Sequence, residues 1–296
     1  MAACLLVGTT AAENSPDGGS VKFVAYNLHN YALQSSTERN ASPPKSEREI
    51  LQLLKILAEL KPDILGVCEM GSEEDLADFQ RRLEAVGLPM PHREWVQGAD
   101  PSRHLALVSR FPITARQSRT DLRYPLDQVM RPIQRGILDV TVQIEPSYAL
   151  RLVGLHLKSR REVEDAEQAL MRRHEAHLVR QHINEILNAA PATNLLVYGD
   201  CNESKEEPGL REIKGAPGQP NSLRELPLAD DAGEKWTYYY EPADEYSRID
   251  FAFASAELMR EVILKHSGIY PGRDWNEASD HRPLFVTLHP VNQAGP

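Results

Sequence analysis

The chain has 296 residues, 41% of them hydrophobic and 26% charged, which excludes an intrinsically disordered composition and allows one large domain or two ordinary ones. Its formal net charge of −10 disfavours a broadly nonspecific binder of polyanions, which would need bound cations or a local basic patch to approach phosphate. No apolar stretch is long enough to cross a bilayer, so no stable transmembrane association is expected, and no repeat period marks a solenoid.

Residues 1–20 hold a small apolar stretch at 5–7, then Thr9, Thr10, Ala11 and Ala12. They read as a flexible tail or as the remnant of an export signal cut near Ala12; the missing basic segment argues against the signal. Cys4 would leave with such a signal, whereas Cys68 and Cys201 follow apolar runs and read as buried thiols. The compartment, cytoplasmic or exported, stays open on these grounds.

The body spans 21–289, with 290–296 as a C-terminal tail. VKFVAYNLHN at 21–30 predicts a buried strand that ends in a polar loop, and a linker rich in Ser, Asn and Pro runs to Pro44. Ile50, Leu53, Leu54, Leu57 and Leu60 recur at helical spacing over 49–60, and Lys61-Pro62 stops that helix. DILGVCEM predicts a strand leaving at Glu69, and 73–86 a helix ended by Gly87. LALVSRFPI, GILDVTVQI and ALRLVGLHL predict consecutive strands, and 162–189 a long amphipathic helix. NLLVYGD is a short strand; 203–227 is a proline-punctuated surface insertion with at most short helices; strands follow around 236–240 and 249–254, and LFVTLH is the last. Two sheets packed face to face with helices outside satisfy this order, within one domain.

The chemistry recurs at one kind of place: a short apolar run ends and an acid, amide or imidazole follows. Asn27, Glu69, His156, Asp200 with Asn202, Asp250, and Asp280 with His281 all sit so. Each alone is more commonly a turn, a helix cap or a hydrogen-bonded structural residue. Together they suit phosphate ester hydrolysis. Carboxylates hold magnesium while water and phosphate complete its shell. One acid orients or deprotonates water, and an imidazole, its tautomer set by an acid such as Asp250, donates to developing negative charge.

In this order YNLHN (26–30), CE (68–69), LALVSRFPI (105–113), GLHLKS (154–159), GDCN (199–202), RID (248–250) and SDH (279–281) resemble the endonuclease/exonuclease/phosphatase superfamily over roughly 21–289. The resemblance implies an α/β fold, a four-layer α-β-β-α sandwich of two packed mixed sheets, and a Mg2+ site that Mn2+ can also fill. It implies Asn27, Glu69 and Asp280 on the metal side, and His156 stabilising phosphate. It further implies Asp200 and Asn202 orienting the attacking water, and His281 supported by Asp250 as the second imidazole. GDCN departs from the pattern at Cys201, where an aromatic or similar apolar residue is usual; a buried Cys is a small hydrophobe, so this changes packing.

Among residues that would choose the substrate, Arg103 and Lys158 are placed nearest the phosphate, and Tyr246 is a candidate to stack on an organic group. Histidines and arginines on the long helix are diluted by acids, so that helix reads as a sheet cover. The expected function is a divalent-metal-dependent phosphoester hydrolase favouring diesters, acting as a monomer. Nucleic acid is one candidate substrate. A small-molecule or lipid-headgroup phosphatase or phosphodiesterase, and a catalytically silent binding protein on the same fold, are the alternatives.

Overall fold

The polar turns and apolar runs of the sequence become twenty named elements in a computed structural model that describes residues 19–34, 43–161 and 167–290. The expectations for 1–18, Cys4, 35–42, 162–166 and 291–296 lie outside the described residues. In chain order the first are β1 (Val21–Tyr31), α1 (Glu47–Leu60), β2 (Ile64–Met70), α2 (Glu73–Ala85), β3 (His92–Val96), β4 (His104–Ser109) and β5 (Ile113–Arg116). Then come β6 (Arg123–Leu126), β7 (Val129–Pro132), β8 (Leu138–Glu145), β9 (Tyr148–His156), α3 (Gln168–Ala189), β10 (Leu195–Asp200) and α4 (Pro208–Lys214). The last are β11 (Arg224–Glu225), β12 (Tyr238–Tyr240), β13 (Glu245–Ser247), β14 (Asp250–Ala254), β15 (Gly268–Ile269) and β16 (Leu284–Leu288).

Capping explains where the helices start. Ser46 and Glu49 form a reciprocal capping box on α1, Ser72 and Asp75 another on α2, and Glu167 accepts from two backbone N–H groups at the start of α3. Lys61 turns left-handed and ends α1 one residue before Pro62.

Six strands form one mixed sheet in the order β15-β16-β1-β2-β4-β3, and six form another in the order β11-β14-β10-β9-β8-β5. Phe23, Leu107, Val140, Leu152, Tyr198 and Val286 belong to the core between the two sheets. The Tyr198 ring fills a slot that exists because Gly66 and Gly154 face it: a Cβ on either would lie 2.3 or 2.7 Å from the ring or its hydroxyl. Ile50, Leu53 and Leu57 of α1 and Leu76 and Phe79 of α2 cover the outer face of the first sheet. Val179, Ile183 and Ile186 of α3 and Leu210 and Ile213 of α4 cover the second. The result is the expected four-layer α-β-β-α sandwich. No helix among the described residues is long and apolar enough to cross a membrane.

Besides the unpredicted edge strand β3, two features differ from the sequence reading. LALVSRFPI is not one strand: β4 ends at Ser109, Phe111 N–H donates to Ser109 Oγ, and Pro112, lacking an N–H, turns the chain into β5 of the other sheet. The β6–β7 hairpin was not predicted, because its turn residues Asp127 and Gln128 both take positive φ (51° and 63°) without the glycine that usually marks such a turn.

Candidate active site

Strand register assembles the site. In the second sheet Asp200 lies directly beside His156 on the parallel neighbour β9 and opposite Asp250 on the antiparallel neighbour β14. In the first sheet Asn27 pairs with Cys68, and both β1 and β2 then lose register, β1 between Asn27 and Tyr31 and β2 between Val67 and Met70. Within those irregular stretches His29, Asn30 and Glu69 adopt φ of 49°, 60° and 60°. Bulges of this kind re-aim side chains, and left-handed non-glycine residues persist only where their surroundings hold them. Gly199 precedes Asp200 because a Cβ there would lie 1.9 Å from the carbonyl oxygen of Leu155. That close approach brings β10 against β9.

The side chains converge at this edge. Asp200 Oδ2 lies 3.6 Å from His156 Nε2 and 3.8 Å from His281 Nε2, and it accepts from Asn27 Nδ2 at 3.1 Å. Its Oδ1 accepts the Asn202 N–H at 2.8 Å. His281 Nδ1 is bonded to Asp250 Oδ2 at 2.8 Å. Glu69 Oε2 accepts the Asn30 N–H at 3.0 Å and faces Arg103 Nε at 3.7 Å, while Oε1 lies 4.0 Å from His156 Nε2 and 3.4 Å from Asn27 Nδ2. Asp280 Oδ1 is 3.9 Å from His281 Nε2 and 3.8 Å from His29 Nδ1.

Burial sets the protonation states. It pushes the Asp200 carboxyl up to about 7, with Asp250 adding to the rise and His281 opposing it. Burial alone would discharge His281, but Asp250 outweighs it, with Asp280 and Asp200 adding, and raises the imidazole to about 10. His156 is held well below its ordinary value by burial, then by Arg135 and His281, so its imidazole is neutral. Cys201 is buried, and burial together with Asp200 and Asp250 keeps its thiol protonated, which removes it as a nucleophile.

The expected residues Asn27, Glu69, His156, Asp200, Asn202, Asp250, Asp280 and His281 thus share one rim, with Arg103 at the Glu69 end. Lys158 lies close enough to His156 for its charge to act on that imidazole, and its ammonium donates to Ser159 O, Ser159 Oγ and Arg161 O. Tyr246 is 55% exposed, stacked on Tyr239 and edge-on to Trp236; Tyr238, next to Tyr239 on β12, lies 4.8 Å from the His281 ring.

Sequence reasoning missed the residues that hold this rim by bonding to backbone. Ser279 Oγ donates to Asn27 O and accepts the His281 N–H, joining β1 to the SDH loop. Thr237 Oγ1 accepts the N–H groups of Ile249 and Asp250. Buried Glu175 on α3 accepts the N–H groups of Gln134 and Lys158. Arg135 pairs with Asp100 at 3.0 Å and donates to Leu157 O, the same carbonyl that holds Asn202 Nδ2. Ser279 stands in the SDH motif without a role assigned to it; for Glu175 and Arg135 the signal is an acid and a base at otherwise apolar positions of a covering helix and a strand entry, and it names no partner.

The donor set fits a hard divalent cation, because the atoms left facing the rim at the Glu69 end are carboxylate and amide groups with oxygen donors. Asp200, Asp250 and His281 also present ligand atoms within 4.8 Å of one another, a cluster that would take a cation only with His281 deprotonated.

Residues 24–281 match the Endonuclease/Exonuclease/phosphatase family. The human Nocturnin catalytic domain, solved with bound sulfate, is similar in fold (TM-score 0.63, 17% identity, covering 91% of this chain and 94% of that one). So are an endonuclease/exonuclease/phosphatase from Bacteroides vulgatus (TM-score 0.62, 15% identity, 91% and 98%) and the 3′ phosphatase NExo from Neisseria bound to a product DNA hairpin (TM-score 0.63, 15% identity, 90% and 99%). No curated protein matches the sequence significantly.

Proposed function

The chain belongs to the Endonuclease/Exonuclease/phosphatase family and is a metal-dependent phosphoesterase, and from that premise we propose that it hydrolyses phosphodiesters by direct attack of water, with Mg2+ as its cation and Mn2+ as a substitute. The observation that carries this reading is a buried Asp200 set between two imidazoles, one neutral and one charged, at the rim that also holds Glu69.

Asp200 orients the water and takes its proton; the Asn202 N–H fixes one carboxylate oxygen, and a raised proton affinity suits a base working near neutral pH. His281, kept charged by Asp250, donates from Nε2 to a phosphoryl oxygen. His156, neutral, donates from Nε2 on the other side; the proton is assigned to that nitrogen because Nδ1 is buried without a partner. Asn202 holds the β10 exit through the hydrogen bond that its side-chain Nδ2 donates to Leu157 O. The hydrogen bond to His281 already uses Asp250 Oδ2, so we assign Glu69, Asn27 and Asp280 to hold the cation. When bound, a divalent cation polarises the phosphoryl oxygen and offsets charge on the leaving oxygen.

Glu69, Asp200, Asp250 and Asp280 favour a diester, which brings one negative charge, over a monoester, which carries about 1.5 to 2 at neutral pH. Tyr246, presented on Tyr239 and Trp236, offers a stacking surface for an organic substituent, and Arg103 flanks the opposite end. The DNA hairpin held by NExo makes DNA the first polymer to test.

Product formation from DNA, nucleotide diesters, sugar and inositol phosphates, and phospholipids, each with Mg2+, Mn2+ or chelator, tests the reading. Metal-dependent cleavage of diesters is expected, with kcat falling about 100- to 10,000-fold in Asp200→Asn. Faster turnover of monoesters than of matched diesters would overturn the diester preference. No turnover by folded, metal-binding protein would shift the fold to a binding role.

A further inference from the structure

On the outer face of the second sheet, α3 and α4 flank an open cavity of about 670 Å³, none of whose lining residues belongs to the active site. Three arginines line it, Arg173 and Arg180 from α3 and Arg211 from α4, with the side-chain amides of Asn184, Gln219 and Asn221.

Arg180 is only 6% exposed. Its guanidinium donates to Ile213 O at 3.1 Å, to Asn221 O at 2.7 Å and to Asn184 Oδ1, all neutral acceptors. Among the described residues no carboxylate lies within ion-pair distance of Arg173, Arg180 or Arg211; the one acid on the wall, Glu212, offsets part of the Arg180 charge from farther away while bonded to His177 at 2.7 Å. The other buried arginines among the described residues are treated differently: Arg135, Arg172 and Arg282 face Asp100, Glu203 and Asp230 at 3.0, 3.7 and 2.7 Å. A buried charge normally has a counter-charge, since desolvation is otherwise uncompensated.

Arg180 also pins the loop after α4, but that task does not require Arg173 and Arg211 beside it. Guanidinium forks with amide donors are the chemistry of phosphate recognition, and here they gather in a chain whose net charge is −10. We propose that the α3–α4 cavity is a phosphate-binding site, second to the catalytic one. Asn202 of the active site and Pro208 of the cavity wall are six residues apart in the chain, a span of at most about 20 Å. The phosphate therefore comes either from a free anion or from a polymer that also reaches the active site.

The test is a titration of inorganic phosphate into the full-length 15N-labelled protein in chelator, following the side-chain amides of Asn184, Gln219 and Asn221 by NMR. Saturable shifts are expected. Arg173 and Arg211 are exposed, so the Arg173→Gln/Arg211→Gln double variant keeps its fold, and it should bind at least about ten-fold more weakly. A single-stranded oligonucleotide titrated in the same way separates the sources. The same resonances moving at lower concentration identify a polymer phosphate, and silence identifies a free one; both support the site. Shifts that fail to saturate below about 20 mM phosphate, or that are equal in the double variant, overturn it.

Discussion

Glu69 shows how a single residue serves both backbone and chemistry. Its φ of 60° carries a cost of about 1–2 kcal/mol for a residue with a Cβ, and the structure holds it there through the Asn30 N–H and the irregular pairing around it. Glu69→Gln keeps the length, the backbone position and an acceptor for that N–H, but removes the charge. The Mg2+ concentration for half-maximal activity should rise at least about 10- to 100-fold, with little change in melting temperature. A metal titration of activity beside a thermal melt checks this, and an unchanged metal requirement would move the cation away from Glu69. Glu69, Asp200 and His281 were legible in the sequence because each directly follows or flanks an apolar run, and strand ends bring such residues to one rim. Ser279, Thr237 and Glu175 were not, because their partners are backbone groups of distant loops that no local pattern encodes.

At the scale of elements, helices with capping boxes and apolar stripes were readable, as were strands with continuous apolar runs. β3 was not: HREWV has no apolar run, and it is a strand because it pairs with β4 at the sheet edge. Ties between elements were equally invisible. Arg135 joins the loop before β4, through Asp100, to the Leu157 carbonyl that fixes Asn202. Asp100 in turn accepts the N–H of Arg103, which faces Glu69. Arg135→Met should therefore lower kcat/KM about 10- to 100-fold while the protein stays folded, because misplacement of positioning groups by about 1 Å is enough for such losses. Steady-state kinetics with circular dichroism as the folding control measures it. A purely structural tie lies elsewhere: Asp139 on β8 is fully buried and accepts from Arg151 Nε and Nη2 at 2.8 and 2.6 Å and from His182 at 2.7 Å. Burial would raise its pKa, but the bonds from His182 and Arg151 outweigh that and depress it. A depressed carboxylate stabilises the fold above its unfolded pKa of about 3.9 and loses that contribution as pH falls through its folded value. Asp139→Asn should cost about 2–4 kcal/mol at pH 7, with the gap to the wild type closing below about pH 4; urea unfolding at both pH values decides it.

For the molecule as a whole, charge is the property that composition reveals and fold does not. The chain carries −10, and many of its surface cations are already paired with its own acids: Arg48 with Glu277, Lys55 with Asp274, Arg82 with Glu47, Arg93 with Glu73 and Arg116 with Glu94. A protein that grips a nucleic acid along a basic groove neutralises about 6–10 phosphates and loses about 1,000- to 100,000-fold in affinity between 50 and 200 mM salt. With the net charge negative and these cations spent on the protein's own acids, recognition is expected to rest on the cation site, the imidazoles and aromatic stacking, which are short-ranged and screened little. If DNA is cleaved, KM measured across about 50–200 mM NaCl at fixed Mg2+ should follow a log–log slope of about 2 or less, a change of no more than about 16-fold. A slope near that of a basic-groove binder would mean that an extended cationic surface forms on binding, and that the four-carboxylate rim is reached by a polymer held elsewhere on the protein.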